Sequence, residues 1–104
     1  MVDNVFNALA STARRKILAY LSATDMTAGE IAERFSMSKP AISKHLAILE
    51  GAGLVRSEKI GQFVHYSIVR EAIANTLNGF VQEVCPVSRP LKRESAKAAA
   101  RRKN

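Results

Sequence analysis

Apolar residues along this chain fall mostly at three- and four-residue spacing, with one stretch where they alternate with polar ones. The first rhythm belongs to helices with one covered face, the second to strands. Asp3 can cap a short helix in which Val5, Phe6 and Leu9 share a face. Ser11 or Thr12 restarts the chain, and Arg14 to Leu21 reads as a second helix burying Ile17, Leu18 and Leu21. Ser22 to Asp25 makes a turn. Thr27-Ala28-Gly29-Glu30 then has the form of a capping box, in which the threonine oxygen takes the glutamate amide and the glutamate reaches back. Ala28, Ile31, Ala32 and Phe35 line one face of the helix that follows. At about two and a half turns it is too short to be stable without neighbours.

Ser36-Met37-Ser38 is a break. Ser38 can cap a fourth helix with Pro40 in its first turn; if Lys39 is the cap, Pro40 takes the first helical position. Ile42, Leu46 and Leu49 form the inward stripe of that helix, and Gly51 or Gly53 stops it. From Leu54 the rhythm changes. Leu54-Val55 enters a strand, Gly61-Gln62 turns, and Phe63 to Ile68 returns with Val64, Tyr66 and Ile68 alternating against Phe63, His65 and Ser67. Phe63 sits on the polar parity, an exception to the pattern. Glu71 to Val84 reads as a last helix with Ile73, Leu77, Phe80, Val81 and Val84 along one side, and Pro86 and Pro90 end the fold. No internal repeat is visible.

Two short helices about a three-residue break, followed by a hairpin, have the layout of a DNA reader. A helix is about 10–12 Å across and the major groove about 12 Å wide. With Ile42, Leu46 and Leu49 inside, the fourth helix turns Lys39, Pro40, Ser43, Lys44 and Ala47 outward, with no acid before Glu50. Lysines reach guanine acceptors or phosphates, and Ser43 can contact either base edges or phosphates. Lys59 and Gln62 fall at the tip of the hairpin.

Charge changes the picture in one place. The 104 residues carry a net charge of +7, but the segment from Ser88 to Asn104 holds seven of the basic residues against Glu94 alone. The preceding 87 residues are close to neutral, with nine basic and eight acidic groups. The chain therefore divides into a domain over residues 1–87 and a basic tail over 88–104. That tail is expected to be disordered when free, or to fray from a helix around its alanines, and to seek polyanions.

The length fits one domain. No run of apolar residues approaches a membrane span, no signal pattern opens the chain, and the lone Cys85 suits a reducing compartment, so a cytoplasmic protein is expected. Cys85 reads as a small filler; two copies meeting across a dimer could instead form a disulfide and give a redox-responsive regulator. Nothing resembles a phosphate loop, a nucleophile elbow or a paired-carboxylate site, which argues against an enzyme. A module binding RNA or protein is the alternative class, disfavoured by six aromatic residues of which Phe6, Phe35, Tyr66 and Phe80 are expected in the core.

The run from Ser36 to Val55, SMSKPAISKHLAILEGAGLV, resembles the reading helix and first wing strand of ArsR-type bacterial repressors. Phe6 to Leu18 resembles that family's opening helices, and Gly61 to Ile68 its wing. The resemblance spans about Asn4 to Val84; Ala13, where many members carry proline or another residue, is a minor departure. It implies a mainly α, winged helix-turn-helix fold: four helices, a β-hairpin wing and a fifth helix, homodimeric through the first and last helices. The implied interface is Val5, Phe6, Leu9, Ile73, Leu77, Phe80, Val81 and Val84. The implied DNA-binding set is Ser38, Lys39, Pro40, Ser43, Lys44 and His45, with Lys59 and Gln62 on the wing; His45 would make a phosphate or capping contact, and His65 would be solvated. The family's metal-sensing patterns are missing: no thiol lies within Glu30 to Phe35, and Glu71 to Val84 contains no histidine. The chain thus resembles the metal-independent autorepressors of the family, with no cofactor expected.

Overall fold

Side-chain caps mark where three of the described helices begin. The structure is a computed structural model that describes residues 2–85 and 90–103. Helix α1 runs over Val2–Leu9 and places Asp3 in its first turn rather than at the cap, beside the positive end of the helix dipole. Ser11 caps helix α2, Thr12–Leu21, its Oγ accepting the amide of Arg14 at 3.2 Å. The capping box forms as expected. Thr27 Oγ1 accepts the Glu30 amide at 3.2 Å and Glu30 Oε1 accepts the Thr27 amide at 2.9 Å.

Thr27 also ends a strand that the sequence does not announce: β1, Met26–Thr27. Helix α3 is shorter than expected, covering Ala28–Ala32, after which Arg34 and Phe35 donate to the carbonyls of Ile31 and Ala32 in tighter turns. Ser38, not Lys39, caps helix α4, Lys39–Gly51, so Pro40 takes the second helical position, where no amide bond is lost. The helix passes through Gly51. Gly53, with φ of 78°, turns the chain away, and the Leu54 amide reaches back to the Leu49 carbonyl at 3.0 Å.

Strands β2, Val55–Ile60, and β3, Phe63–Ile68, pair antiparallel from Val55 opposite Ile68 to Ile60 opposite Phe63. Gly61 has φ of 64° and Gln62 does not enter positive φ, the pattern of a type II′ hairpin turn. β1 pairs with the other edge of β3, Met26 opposite Tyr66 and Thr27 opposite His65, giving a three-stranded sheet ordered β1-β3-β2.

The core lies between α1 to α4 and the base of the sheet. Ile17, Ile31, Ile42, Leu46, Leu49 and Leu54 are fully buried, joined by Ala8, Leu21, Met26 and Val55. Tyr66 and Ile68 pack on it, whereas Val64, assigned to the same inner face, stays exposed. The outer half of the hairpin extends past the core, so both of its faces are exposed. That is why the parity of Phe63 carries no meaning there. Phe35 and Tyr66 lie against the core as expected, but Phe6 and Phe80 are exposed on the chain's surface.

Two units can be described separately, Met1–Ile73 and Ala74–Asn104. Helix α5, Arg70–Val84, begins in the first, where Arg70 donates to the Ser22 carbonyl and Ile73 packs on the core. No residue of α5 is buried. Helix α6 covers Pro90–Lys103. The stop expected at Pro86 and the boundary expected after residue 87 lie outside the described residues.

Candidate nucleic-acid interface

The stripe of Ile42, Leu46 and Leu49 fixes how α4 is turned, because all three are completely buried. At about 100° per residue, the opposite side must then carry Pro40, Lys44, Ala47 and Ile48, and each of these is exposed. Lys39 and Ser43 lie on one flank and are also exposed; Ala41 and His45 lie on the other and are half-buried. The Ser38 hydroxyl is engaged as the cap, accepting the Ala41 amide at 3.3 Å, which leaves its proton available to an acceptor.

The flank with Lys39 and Ser43 opens onto a cleft of about 330 Å³ shared with the wing. Gln62, Phe63 and Val64 line its wing side, and Thr27 to Gly29, at the start of α3, form its back. Three expected DNA-binding residues therefore meet around one groove: Lys39, Ser43 and Gln62. Lys59 is exposed on β2, opposite Val64, and Lys44 projects from the outer side of α4. Glu50, the one acid on α4, accepts from Ser57 Oγ at 2.8 Å, which ties the end of α4 to the first wing strand.

The capping box supports this groove from behind. The Glu30 carboxyl is held below its ordinary range, first by the Thr27 amide and hydroxyl, with smaller contributions from His65 and Arg34; desolvation opposes them. His65 is half-buried beside Glu30, Thr27 and Phe63 rather than fully solvated, because the pairing of β1 with β3 brings Thr27 opposite it. Arg34 donates to the Glu30 carbonyl at 2.8 Å and lies 6.0 Å from the centre of the Tyr20 ring, which meets Phe35 edge-on at 5.7 Å. The end of α3 is thereby anchored to α2.

Some functional candidates were not visible from the sequence. Ile48, 46% exposed one turn beyond Lys44, and Phe63, 56% exposed at the cleft, are apolar groups beside the expected DNA-binding residues. Ile48 could have been found from its position opposite the buried stripe. Arg14 could not. Its contact with His45 links residues 31 apart, with Nη1 at 3.4 Å from Nδ1.

The residues expected at a dimer interface divide. Val5 is only 6% exposed and belongs to the single chain's own core together with Ala8, because that face of α1 packs on α2 and α4; Leu9 is half-buried against the same core. Phe6 is the member of the α1 set with substantial exposure. On α5, Leu77, Phe80, Val81 and Val84 are between 39% and 58% exposed. Among the described residues no three His, Cys, Asp or Glu side chains cluster as metal ligands, and no helix is long and apolar enough to cross a membrane. Cys85 is half-buried and forms no disulfide.

Comparison with known proteins follows this geometry closely. Residues 11–57, from the cap of α2 into β2, match the model of "Bacterial regulatory protein, arsR family". The transcriptional repressor SdpR of Bacillus subtilis is 46% identical over 77 residues, which cover 74% of this chain and 86% of SdpR. The transcriptional activator HlyU of Vibrio cholerae is 36% identical over 64 residues, covering 62% of this chain and 59% of HlyU. Among solved structures, an ArsR-like transcriptional regulator from Rhodococcus sp. RHA1 superposes with a TM-score of 0.70 at 31% identity, covering 96% of this chain and 84% of that one. The chain belongs to the ArsR family of winged helix-turn-helix, DNA-binding transcriptional regulators, a non-enzymatic family.

Proposed function

We propose that this protein is a homodimeric, cytoplasmic repressor that occupies a double-stranded operator and has no metal-sensing site. The observation that carries the reading is the groove in which Lys39 and Ser43 of α4 face Gln62 of the wing, with Lys44 projecting beside it. Small and cationic side chains on the outer side of a firmly seated helix suit the major groove, where acceptors of guanine and phosphate are exposed. The wing tip, with Lys59 and Gln62, would follow the backbone. Repression rather than activation is favoured by the likeness to SdpR, which covers more of the chain than that to HlyU.

Dimerisation is supported by the apolar stripe on α5. A single chain that leaves Leu77, Val81 and Val84 exposed gains by covering them with a second copy, together with Phe6 of α1. The absence of a thiol in α3 and of a histidine in α5 favours a regulator without either metal pattern of the family.

Quantitative binding to the protein's own promoter duplex and to a scrambled duplex tests the reading. Ser43→Ala and Lys44→Ala should each weaken operator binding by about 1–3 kcal/mol, with smaller losses on scrambled DNA. Equal losses on both duplexes would make these side chains phosphate contacts and remove them from sequence reading. A reporter under the same promoter separates repression from activation.

A further inference from the structure

His45 lies on the flank of α4 away from the wing, half-buried, and its Nδ1 stands 3.4 Å from Nη1 of Arg14. Arg14 itself has little freedom. Its Nε donates to the Ala8 carbonyl at 2.8 Å and its Nη2 to the Asn7 carbonyl at 3.0 Å. These carbonyls belong to the last turn of α1, and that of Asn7 also accepts the Ala10 amide at 3.2 Å. The third nitrogen of the fork is therefore aimed at the reading helix by the other two.

A guanidinium carries only donors. For Nη1 to donate to Nδ1, that ring nitrogen must present its lone pair, and the proton of the neutral imidazole then sits on Nε2. We propose that Arg14 is a positioning residue for DNA binding: it fixes the orientation and tautomer of His45 so that Nε2–H is offered to a phosphate oxygen beside the groove. The inference rests on α4 being the DNA-facing helix and deepens that reading. A phosphate fits this place better than a base edge. His45 is on the flank, not on the outer side with Lys44 and Ala47, and the phosphates border the groove that the outer side enters. Phosphate oxygens accept and do not donate, so only the tautomer with the proton on Nε2 serves the neutral ring there. The charge of Arg14 adds to the attraction for the same anion.

The test uses the full chain. Two-bond proton–nitrogen correlation spectra of the neutral His45 ring should show one tautomer, with the proton on Nε2, in the wild type and a mixture in Arg14→Met. Operator affinity should largely survive His45→Gln, whose amide nitrogen reaches the place of Nε2. It should fall about tenfold or more in His45→Asn, which reaches only the place of Nδ1; that is the scale of one hydrogen bond to a charged group. Arg14→Met should cost a similar factor in the wild-type background and little in the His45→Asn background, since the arginine acts through the ring. Melting curves separate loss of the α1 cap from loss of binding. Should Arg14→Met fail to fold, the wild-type tautomer and the contrast between Gln and Asn still decide. A proton on Nδ1, equal affinity in the Gln and Asn variants, or an equal cost of Arg14→Met in both backgrounds overturns the proposal. A wild type without preference for operator duplex would overturn the DNA reading beneath it.

Discussion

Helices α4 and α5 carry the same kind of apolar stripe and meet opposite fates. Ile42, Leu46 and Leu49 of α4 vanish completely from solvent, whereas α5, with more apolar residues along one side, buries none of its residues. The difference lies in the company each helix keeps. α4 is packed by α1, α2, α3 and β2 within one unit, so its stripe fixes which side of the helix faces outward. From Leu77 onward the stripe of α5 is exposed, between 39% and 58%. Periodicity thus reports that a face is to be covered and is silent on what covers it. For a DNA reader the two answers are complementary: one stripe aims the helix, and the other is suited to pairing it with a second copy.

The sharpest way to break this comparison is to charge the stripe of α5. Leu77→Asp together with Val84→Asp should leave the melting of the first unit nearly unchanged while abolishing the proposed dimer in sedimentation. Losing one half-site should take operator affinity towards the non-specific level, a gap of about 4–10 kcal/mol. A dimer that persists would show that α5 serves another surface.

The converse change falls on α4. Leu46→Ala should cost about 2–5 kcal/mol of folding stability, since the side chain is fully buried and a cavity remains. Denaturant unfolding measures it. A cost below about 1 kcal/mol would mean that the stripe of α4 is held no more firmly than that of α5.

What could be read from the sequence were features settled by residues close in the chain. The Thr27–Glu30 box, the burial of Ile17, Leu18 and Leu21, and the inward stripe of α4 all depend on neighbours within a turn or two. Ser38 and Lys39 are both possible caps on that information, and Ser38 is the one found, its hydroxyl accepting the Ala41 amide. What was not legible is non-local. β1 is two residues long, too short for any period, and exists because β3 offers an edge to Met26 and Thr27. The exposure of Val64 depends on where the core ends, and that of Val5 on what lies beneath α1. Of the binding set, the exposed positions on α4 followed from its stripe, but the engagement of His45 by Arg14 required the fold.

Helix α6 differs from both stripes in being strongly basic. It carries Lys92, Arg93, Lys97, Arg101, Arg102 and Lys103 against Glu94, while the rest of the chain is almost neutral. Deleting residues 88–104 should make the dependence of log K on log salt shallower by about 2–3 units, if roughly three cations lie along phosphates at about 0.9 each. Operator and scrambled DNA should lose affinity together, because phosphate contacts carry no sequence information. An unchanged slope would leave the segment a solvated bystander. A loss confined to the operator would give it a reading role, and loss of the dimer would place it in the interface with α5.

The smallest expected effect belongs to the capping box, which needs neither a second copy nor DNA. Glu30 is fully exposed, yet its carboxyl lies below the ordinary range because the ionised form accepts the Thr27 amide and hydroxyl. A lowered value means that the folded state favours the carboxylate. Its contribution is therefore complete above the ordinary glutamate value of about 4.3 and fades as pH falls through the lowered one. Glu30→Gln keeps an oxygen for the Thr27 amide but removes the charge. Wild type should then melt slightly above the variant at neutral pH, and the difference should close as the solution is acidified. Melting curves of the two chains across that range, compared at each pH, cancel the titration of the other carboxylates. A difference that stays constant into acid would mean that the amide hydrogen bond alone holds the start of α3, and with it the back wall of the groove where Lys39, Ser43 and Gln62 meet.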